Sequence, residues 1–386
     1  MAGYPQRETS GLIARRLTVM QLLPELEVGG VERGTLEIAA ALCRAGHRAL
    51  VVCAPGRLVE ELESCGAEHI SLAIGEKRIG SLRHVRSLRK LIVERQVDIV
   101  HARSRLPAWL GHLACKRLSD VARPAWVTTV HGPYSVNPYS RIMVTGEVVI
   151  AISEFIKRYI VDSYRGIEAH RIEMIPRGVD RNKFHFGFTP PTAWMSAWQA
   201  DHPALAGKAL LTLPARLTRW KGQLDFIEMI ARLRRRDANV HGLIAGAAHR
   251  GRGSFEDELK HAVQRLGLAR DITFLGHRRD LREILAISDI AYSLAREPEA
   301  FGRTTVEALS LGTPVIGFEH GGTVEILRSV FPQGLVNVGD VAAAADLTAQ
   351  LLESQPQLPR EHPFTLTRMQ DATLSVYQRL SHHQRV

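Results

Sequence analysis

Two glutamates, Glu299 and Glu307, stand eight positions apart around the run Ala-Phe-Gly-Arg-Thr-Thr-Val, and Gly-Thr-Pro-Val-Ile follows at 312–316. The stretch begins in a loop, because Pro298 discourages helix in the residue before it. From Gly302 the spacing of Val306, Leu309 and Leu311 predicts a short, mostly buried helix, which Gly312 and Pro314 stop. Residues 314–317 then read as a buried strand. A helix that opens on glycine leaves backbone N–H groups unused, and with the helix dipole they form an anion seat. A carboxylate only accepts hydrogen bonds, so beside such a seat it suits hydroxyl donors such as a ribose or a sugar diol. Arg216 and Lys221, five positions apart, lie between a strand predicted at 209–215 and a helix at 223–235. Arginine can grip a diphosphate with two parallel hydrogen bonds and lysine as a point charge. Together these groups call for a ligand that carries a sugar, a diphosphate and a ribose.

The elements that must position them alternate as strand and helix through both halves. That alternation predicts two doubly wound parallel sheets, and 386 residues suit two domains of ordinary size. Residues 17–23 read as the first strand, followed by the pair Gly29 and Gly30 and a helix to 42. Such a pair lets the backbone approach a ligand closely. It is not G-x-G-x-x-G, so the dinucleotide-binding fingerprint is absent. The strand at 126–131 ends in His131 and Gly132. Ligands of parallel α/β sheets gather at the carboxyl ends of strands, which makes His131 a candidate. Ser153 is placed as the cap of a helix at 154–164.

The E-x7-E stretch, the R-x4-K pair and their order along the chain resemble the retaining, GT-B-type nucleotide-sugar glycosyltransferases of family 4. The resemblance runs from the glycine pair to the last helix. It implies two Rossmann-like domains facing a central cleft: a basic lead at 1–16, an acceptor-side domain at 17–185, a connection at 186–207 and a nucleotide-sugar domain at 208–362. A last helix at 363–386 is expected to cross back to the first domain. The implied donor is a UDP- or GDP-sugar. Glu299 would hold its sugar hydroxyls and Glu307 its ribose diol. Arg216, Lys221 and the backbone amides of Phe301, Gly302, Arg303 and Thr304 would neutralise the leaving diphosphate in place of a metal. Gly29 and Gly30 would lie against the diphosphate and the acceptor, His131 against the donor sugar or acceptor, and Gly276 and His277 near the base. No cofactor and no metal are expected. The implied acceptor is a bacterial glycolipid, such as a lipopolysaccharide core, or a lipid-linked glycan, met at the cytoplasmic face of the inner membrane. The chain departs from the family at three places: Gly132 where some relatives carry aspartate, Ala215 where glycine is usual, and Arg177 where asparagine is common.

A net charge of +10 implies an anionic partner without choosing among nucleic acid, lipid and phosphorylated glycan. The basic residues are not interleaved with stacking aromatics, which argues against nucleic acid. At 81–95, Leu82, Val85, Leu88, Leu91 and Ile92 form one helix face and Arg83, Arg86, Arg89, Lys90 and Arg95 another. Such a helix can lie on an anionic membrane surface or simply flank an α/β domain. No apolar run approaches the ~20 residues that span a bilayer. The four cysteines, Cys43, Cys53, Cys65 and Cys115, lack metal-ligand spacing and read as reduced thiols. The rival readings are a GT-B nucleotide-sugar epimerase and a non-catalytic, membrane-associated scaffold that keeps the fold.

Overall fold

The structure, a computed structural model, describes residues 15–27, 29–77, 79–248 and 254–383. Most of the expected basic lead, residues 1–14, lies outside the described residues.

Thirteen strands and thirteen helices follow in order along the described chain. The strands are β1 (Thr18–Glu25), β2 (Arg48–Ala54), β3 (Glu68–Ser71), β4 (Ile99–Ala102), β5 (Ala125–Val130), β6 (Val148–Ala151), β7 (Ile172–Met174), β8 (Ala209–Pro214), β9 (Val240–Ala245), β10 (Ile272–Gly276), β11 (Ile290–Ser293), β12 (Val315–Phe318) and β13 (Leu335–Val336). The helices are α1 (Gly30–Arg44), α2 (Val59–Ser64), α3 (Arg83–Glu94), α4 (Arg105–Cys115), α5 (Glu154–Ser163), α6 (Thr192–Asp201), α7 (Gln223–Arg234), α8 (Ser254–Arg265), α9 (Leu281–Ala286), α10 (Arg303–Leu311), α11 (Gly321–Val330), α12 (Val341–Ser354) and α13 (Leu366–His383).

One sheet has seven strands in the order β3-β2-β1-β4-β5-β6-β7, and the other six in the order β10-β9-β8-β11-β12-β13. The described strand pairs are parallel, as in β1 with β2 and β4, and β8 with β9 and β11. Parallel strands linked by helices are covered on both faces, which is why β1, β8 and β9 are nearly continuous apolar runs with Leu22, Leu211 and Leu243 fully buried. By its contacts the chain divides into two compact units, residues 1–128 with 374–386, and residues 129–373. The order reverses between β1 and β4 in one sheet and between β8 and β11 in the other, the positions at which open α/β sheets form ligand crevices.

Two elements differ from the sequence reading. Leu82, expected on the apolar face of the basic helix, is 61% exposed, because it lies in the tight turn Ile79–Leu82 that precedes α3. The buried face of α3 is instead His84, Val85, Leu88 and Ile92. Helix α12 was not expected at all. Its start is marked by Asp340, whose side chain accepts a hydrogen bond of 2.9 Å from the Ala343 N–H.

Candidate active site

In the second unit the loops that follow β8 and β11 leave the sheet side by side at its point of reversal. The β8 loop carries Arg216 and Lys221, and the β11 loop carries Glu299. Lys221 Nζ lies 2.7 Å from Glu299 Oε1, and both side chains are mostly buried. The ammonium also sits 4.2 Å from the centre of the Trp220 ring, a cation–π contact that holds the lysine stem. Arg216 is exposed, and its carbonyl accepts from Gln223 Nε2 at 2.9 Å. Arg219 is committed elsewhere, bonded to Glu258 at 2.5 Å and lying over Phe255.

The backbone explains why these side chains converge. Gly222 has φ +78°, and an added Cβ would collide with the Leu294 carbonyl at the end of β11. Next to this contact the Arg296 N–H donates to the Trp220 carbonyl at 2.7 Å. Arg296 also grips Asp225 through Nε at 2.7 Å and Nη2 at 2.5 Å, which raises the affinity of its guanidinium for its proton. The two loops are thus tied together below the Lys221–Glu299 pair.

Gly302, with φ +101°, turns the chain into α10. Arg303 Nε donates to Glu307 Oε1 at 3.0 Å one turn later, and Glu307 is 9% exposed. Thr304 is partly buried on the same turn. The Phe301 side chain is not in the seat. It is 5% exposed and packs edge-on against Phe364, so only its backbone is available to a ligand.

A second set of contacts, missed by the sequence reading, braces the Glu299 loop. Ser153 Oγ donates to the Ala300 carbonyl at 2.6 Å and accepts from the Ile156 N–H at 3.1 Å. Glu325 accepts from the N–H groups of Glu154 and Phe155 at 2.8 and 2.6 Å, closing the start of α5. Burial raises the Glu325 pKa above the usual carboxylate value despite those two bonds. The Gly322 N–H donates to the Glu299 carbonyl at 2.7 Å. The sequence signals were Ser153 as a cap and the glycine pair at 321–322, but the partners they meet lie in other segments, Ala300 being 147 residues from Ser153.

His131 follows β5. Its N–H donates to Tyr134 Oη at 3.3 Å, and its Nδ1 lies 3.2 Å from Arg177 Nη2. Gly276 ends β10 with φ +63°, and His277 after it is exposed. β10 is an edge strand two places from β8, about 10 Å away, so these two residues stand apart from the Lys221–Glu299 pair.

In the first unit Gly29 and Gly30 open α1 after β1. Gly29 has an extended φ of −172°, open to any residue, and a Cβ at Gly30 would meet nothing within 4 Å. A Cβ at Gly29 would crowd the Glu32 carboxylate, the far end of a flexible side chain, so neither position is closed to a side chain by the backbone around it. Among the described residues no cluster of three or more His, Cys, Asp or Glu side chains could hold a metal. None of Cys43, Cys53, Cys65 and Cys115 is in a disulfide, and burial pushes the pKa of the Cys53 thiol up to about 12.

Two parallel α/β sheets, with cations and carboxylates gathered where the second reverses, define the GT-B class of fold. A solved glycosyltransferase from Rickettsia africae ESF-5 is 27% identical and superposes with a TM-score of 0.83 over 95% of this chain and 98% of its own. The Anabaena Alr3699/HepE structure in complex with UDP-glucose is 22% identical, with a TM-score of 0.73 over 96% of this chain and 98% of its own. Residues 28–183 match the model of Glycosyltransferase Family 4 and residues 196–363 that of Glycosyl transferases group 1. The chain belongs to the family 4 glycosyltransferases. A lipopolysaccharide core biosynthesis mannosyltransferase of Rhizobium meliloti is 29% identical over 118 residues, 30% of this chain and 33% of the relative. The alignments with four such curated relatives span between 24% and 38% of their length, and that with a phosphatidyl-myo-inositol mannosyltransferase of Mycolicibacterium smegmatis, 25% identical, spans 84% of this chain and 81% of the relative.

Proposed function

We propose that the protein transfers a hexose-type sugar from a UDP- or GDP-sugar to a hydroxyl of a bacterial cell-surface glycolipid or lipid-linked glycan, with retention of the anomeric configuration and without a metal. The observation that carries this reading is the 2.7 Å pair of Lys221 and Glu299 at the reversal point of the second sheet. It sets a phosphate-binding cation beside a hydroxyl-binding carboxylate. Glu299 takes the donor sugar hydroxyls, and Glu307, one turn into α10, takes the ribose diol. As the bond to the sugar breaks, negative charge grows on the diphosphate. Arg216, Lys221 and the N–H groups at the start of α10 stabilise that charge where it develops. A donor phosphate oxygen takes the proton of the incoming hydroxyl, so no side-chain base is needed.

The HepE complex with UDP-glucose supports a nucleotide-sugar donor, and the Rhizobium mannosyltransferase supports a lipopolysaccharide-type acceptor. An acceptor anchored in the membrane calls for an enzyme that meets the cytoplasmic face. Arg86, Arg89, Lys90 and Arg117 line one groove in the first unit with the exposed Val93 and with Glu94, which lies 3.6 Å from Lys90, and the excess of cations suits an anionic lipid surface. No helix among the described residues is long and apolar enough to cross a membrane.

The test is thermal stabilisation by UDP-, GDP-, ADP- and dTDP-sugars, with and without EDTA, because a ligand that binds the folded state raises its melting temperature. A shift with a UDP- or GDP-sugar that survives EDTA is expected. No shift with any donor would remove the basis for transfer and favour a scaffold.

A further inference from the structure

Arg177 lies in the extended stretch after β7 and is 8% exposed. The chain two residues further on, at Val179, is pinned through both its N–H and its carbonyl. The Val179 N–H donates to the Phe364 carbonyl at 3.1 Å, and the Leu366 N–H to the Val179 carbonyl at 2.8 Å. A Cβ at Gly178 would run into the Thr365 carbonyl, so the chain cannot back away there. From this anchored position the guanidinium reaches Met369 Sδ through Nη1 at 3.8 Å and His131 Nδ1 through Nη2 at 3.2 Å. A thioether is a weak acceptor, which makes the imidazole the better partner of these two.

That bond has only one possible direction. A guanidinium stays protonated and has donors only. His131 Nδ1 must therefore present its lone pair, and a neutral imidazole with a lone pair on Nδ1 carries its proton on Nε2. A doubly protonated ring would set N–H against N–H and place two positive charges at hydrogen-bond distance. The turn bearing the histidine is held as well. Its N–H donates to Tyr134 Oη, and the Tyr134 carbonyl accepts the Tyr159 hydroxyl.

We infer that Arg177 is a positioning residue that locks His131 as the Nε2–H tautomer, so that His131 serves the transfer as a hydrogen-bond donor through Nε2 and not as the base that takes the acceptor's proton. The inference rests on the proposed reading of His131 as a site residue. The tautomer itself can be measured whether or not that reading holds.

The experiment is nitrogen-15 NMR of the full chain with labelled histidine, with the His131 signals assigned by their loss in His131→Gln. The wild type is expected to show an unprotonated Nδ1 and a protonated Nε2. Arg177→Met, of similar length but without a donor, is expected to give a mixture of tautomers, and Arg177→Lys to restore the single one. In the transfer assay Arg177→Met should lower kcat by ~2- to 10-fold, the range of one hydrogen bond, with little change in the donor KM. A protonated Nδ1 in the wild type overturns the inference, even if Arg177→Met fails to fold. An unchanged single tautomer in folded Arg177→Met also overturns it. The expected spectra with normal transfer by His131→Gln would keep the lock and remove the role of His131 in catalysis.

Discussion

Lys221 and Glu299 neutralise each other at 2.7 Å, so removing either strands the other in a mostly buried position. Lys221→Ala takes a cation from the leaving diphosphate, and Glu299→Ala takes the acceptor of the sugar hydroxyls. Each is expected to lower turnover at least ~10-fold, in line with the loss of one preorganised electrostatic contact. The far-ultraviolet circular dichroism of both should stay native. Near-normal turnover in both would refute the assignment of the site. These residues were legible in the sequence because their message is local: a glutamate spacing that spans a loop and a helix start, and two cations between a strand and a helix. The hydrogen bond from Arg177 to His131 was not legible. It joins positions 46 residues apart, and its existence depends on where β5 and the segment after β7 end in space. Phe301 shows the converse limit, since a residue inside the right motif can turn its ring into the core and leave only its backbone to the ligand.

Among the elements, the junction of α7 with the β8 loop is tightly constrained. Gly222 has a left-handed backbone, and its α-carbon faces the Leu294 carbonyl. Gly222→Ala therefore combines backbone strain with a steric clash and should destabilise the protein by ~1–3 kcal/mol. Because Lys221 is the neighbouring residue, donor affinity should fall as well. Urea unfolding read beside donor titration checks both effects, and an unchanged midpoint would show that the loops can separate freely. The start of α10 was readable from Gly302, and the start of α5 from Ser153. Helix α12 was overlooked because its alanine-rich opening has no clear apolar stripe, and only Asp340 marks where it begins. Leu82 was placed on the wrong face because the helical period was carried one residue into the preceding turn.

For the whole molecule, fold class was the most legible property, since strand and helix patterns alternate along nearly the full length and leave few alternatives to parallel sheets. How stability responds to pH could not be read in this way, because it depends on burial. His241 in β9 is 3% exposed and lies 2.8 Å from Thr273 Oγ1. Burial first, then the nearby Lys208 charge, lowers its pKa to about 4 from an ordinary value of 6.5. The unfolded chain therefore binds a proton over that interval that the folded chain refuses. Stability is fully present above pH 6.5 and is lost as pH falls through about 4. The loss should be ~3 kcal/mol, at ~1.4 kcal/mol per pH unit over that interval. Urea unfolding across this interval should show a shallower acid decline for His241→Gln than for the wild type, and parallel curves would refute the assignment. The Lys221–Glu299 pair has a consequence for the catalytic cycle as a whole. Under the proposed reaction an arriving donor exchanges partners with this pair, its phosphate taking the lysine and its sugar the glutamate. Once the sugar has left, the spent nucleotide has no hydroxyl at that position to hold the carboxylate. Reclosure of the ion pair then competes with the departing diphosphate, so the same contact that readies the empty site also favours release of the product and resets the enzyme for the next donor.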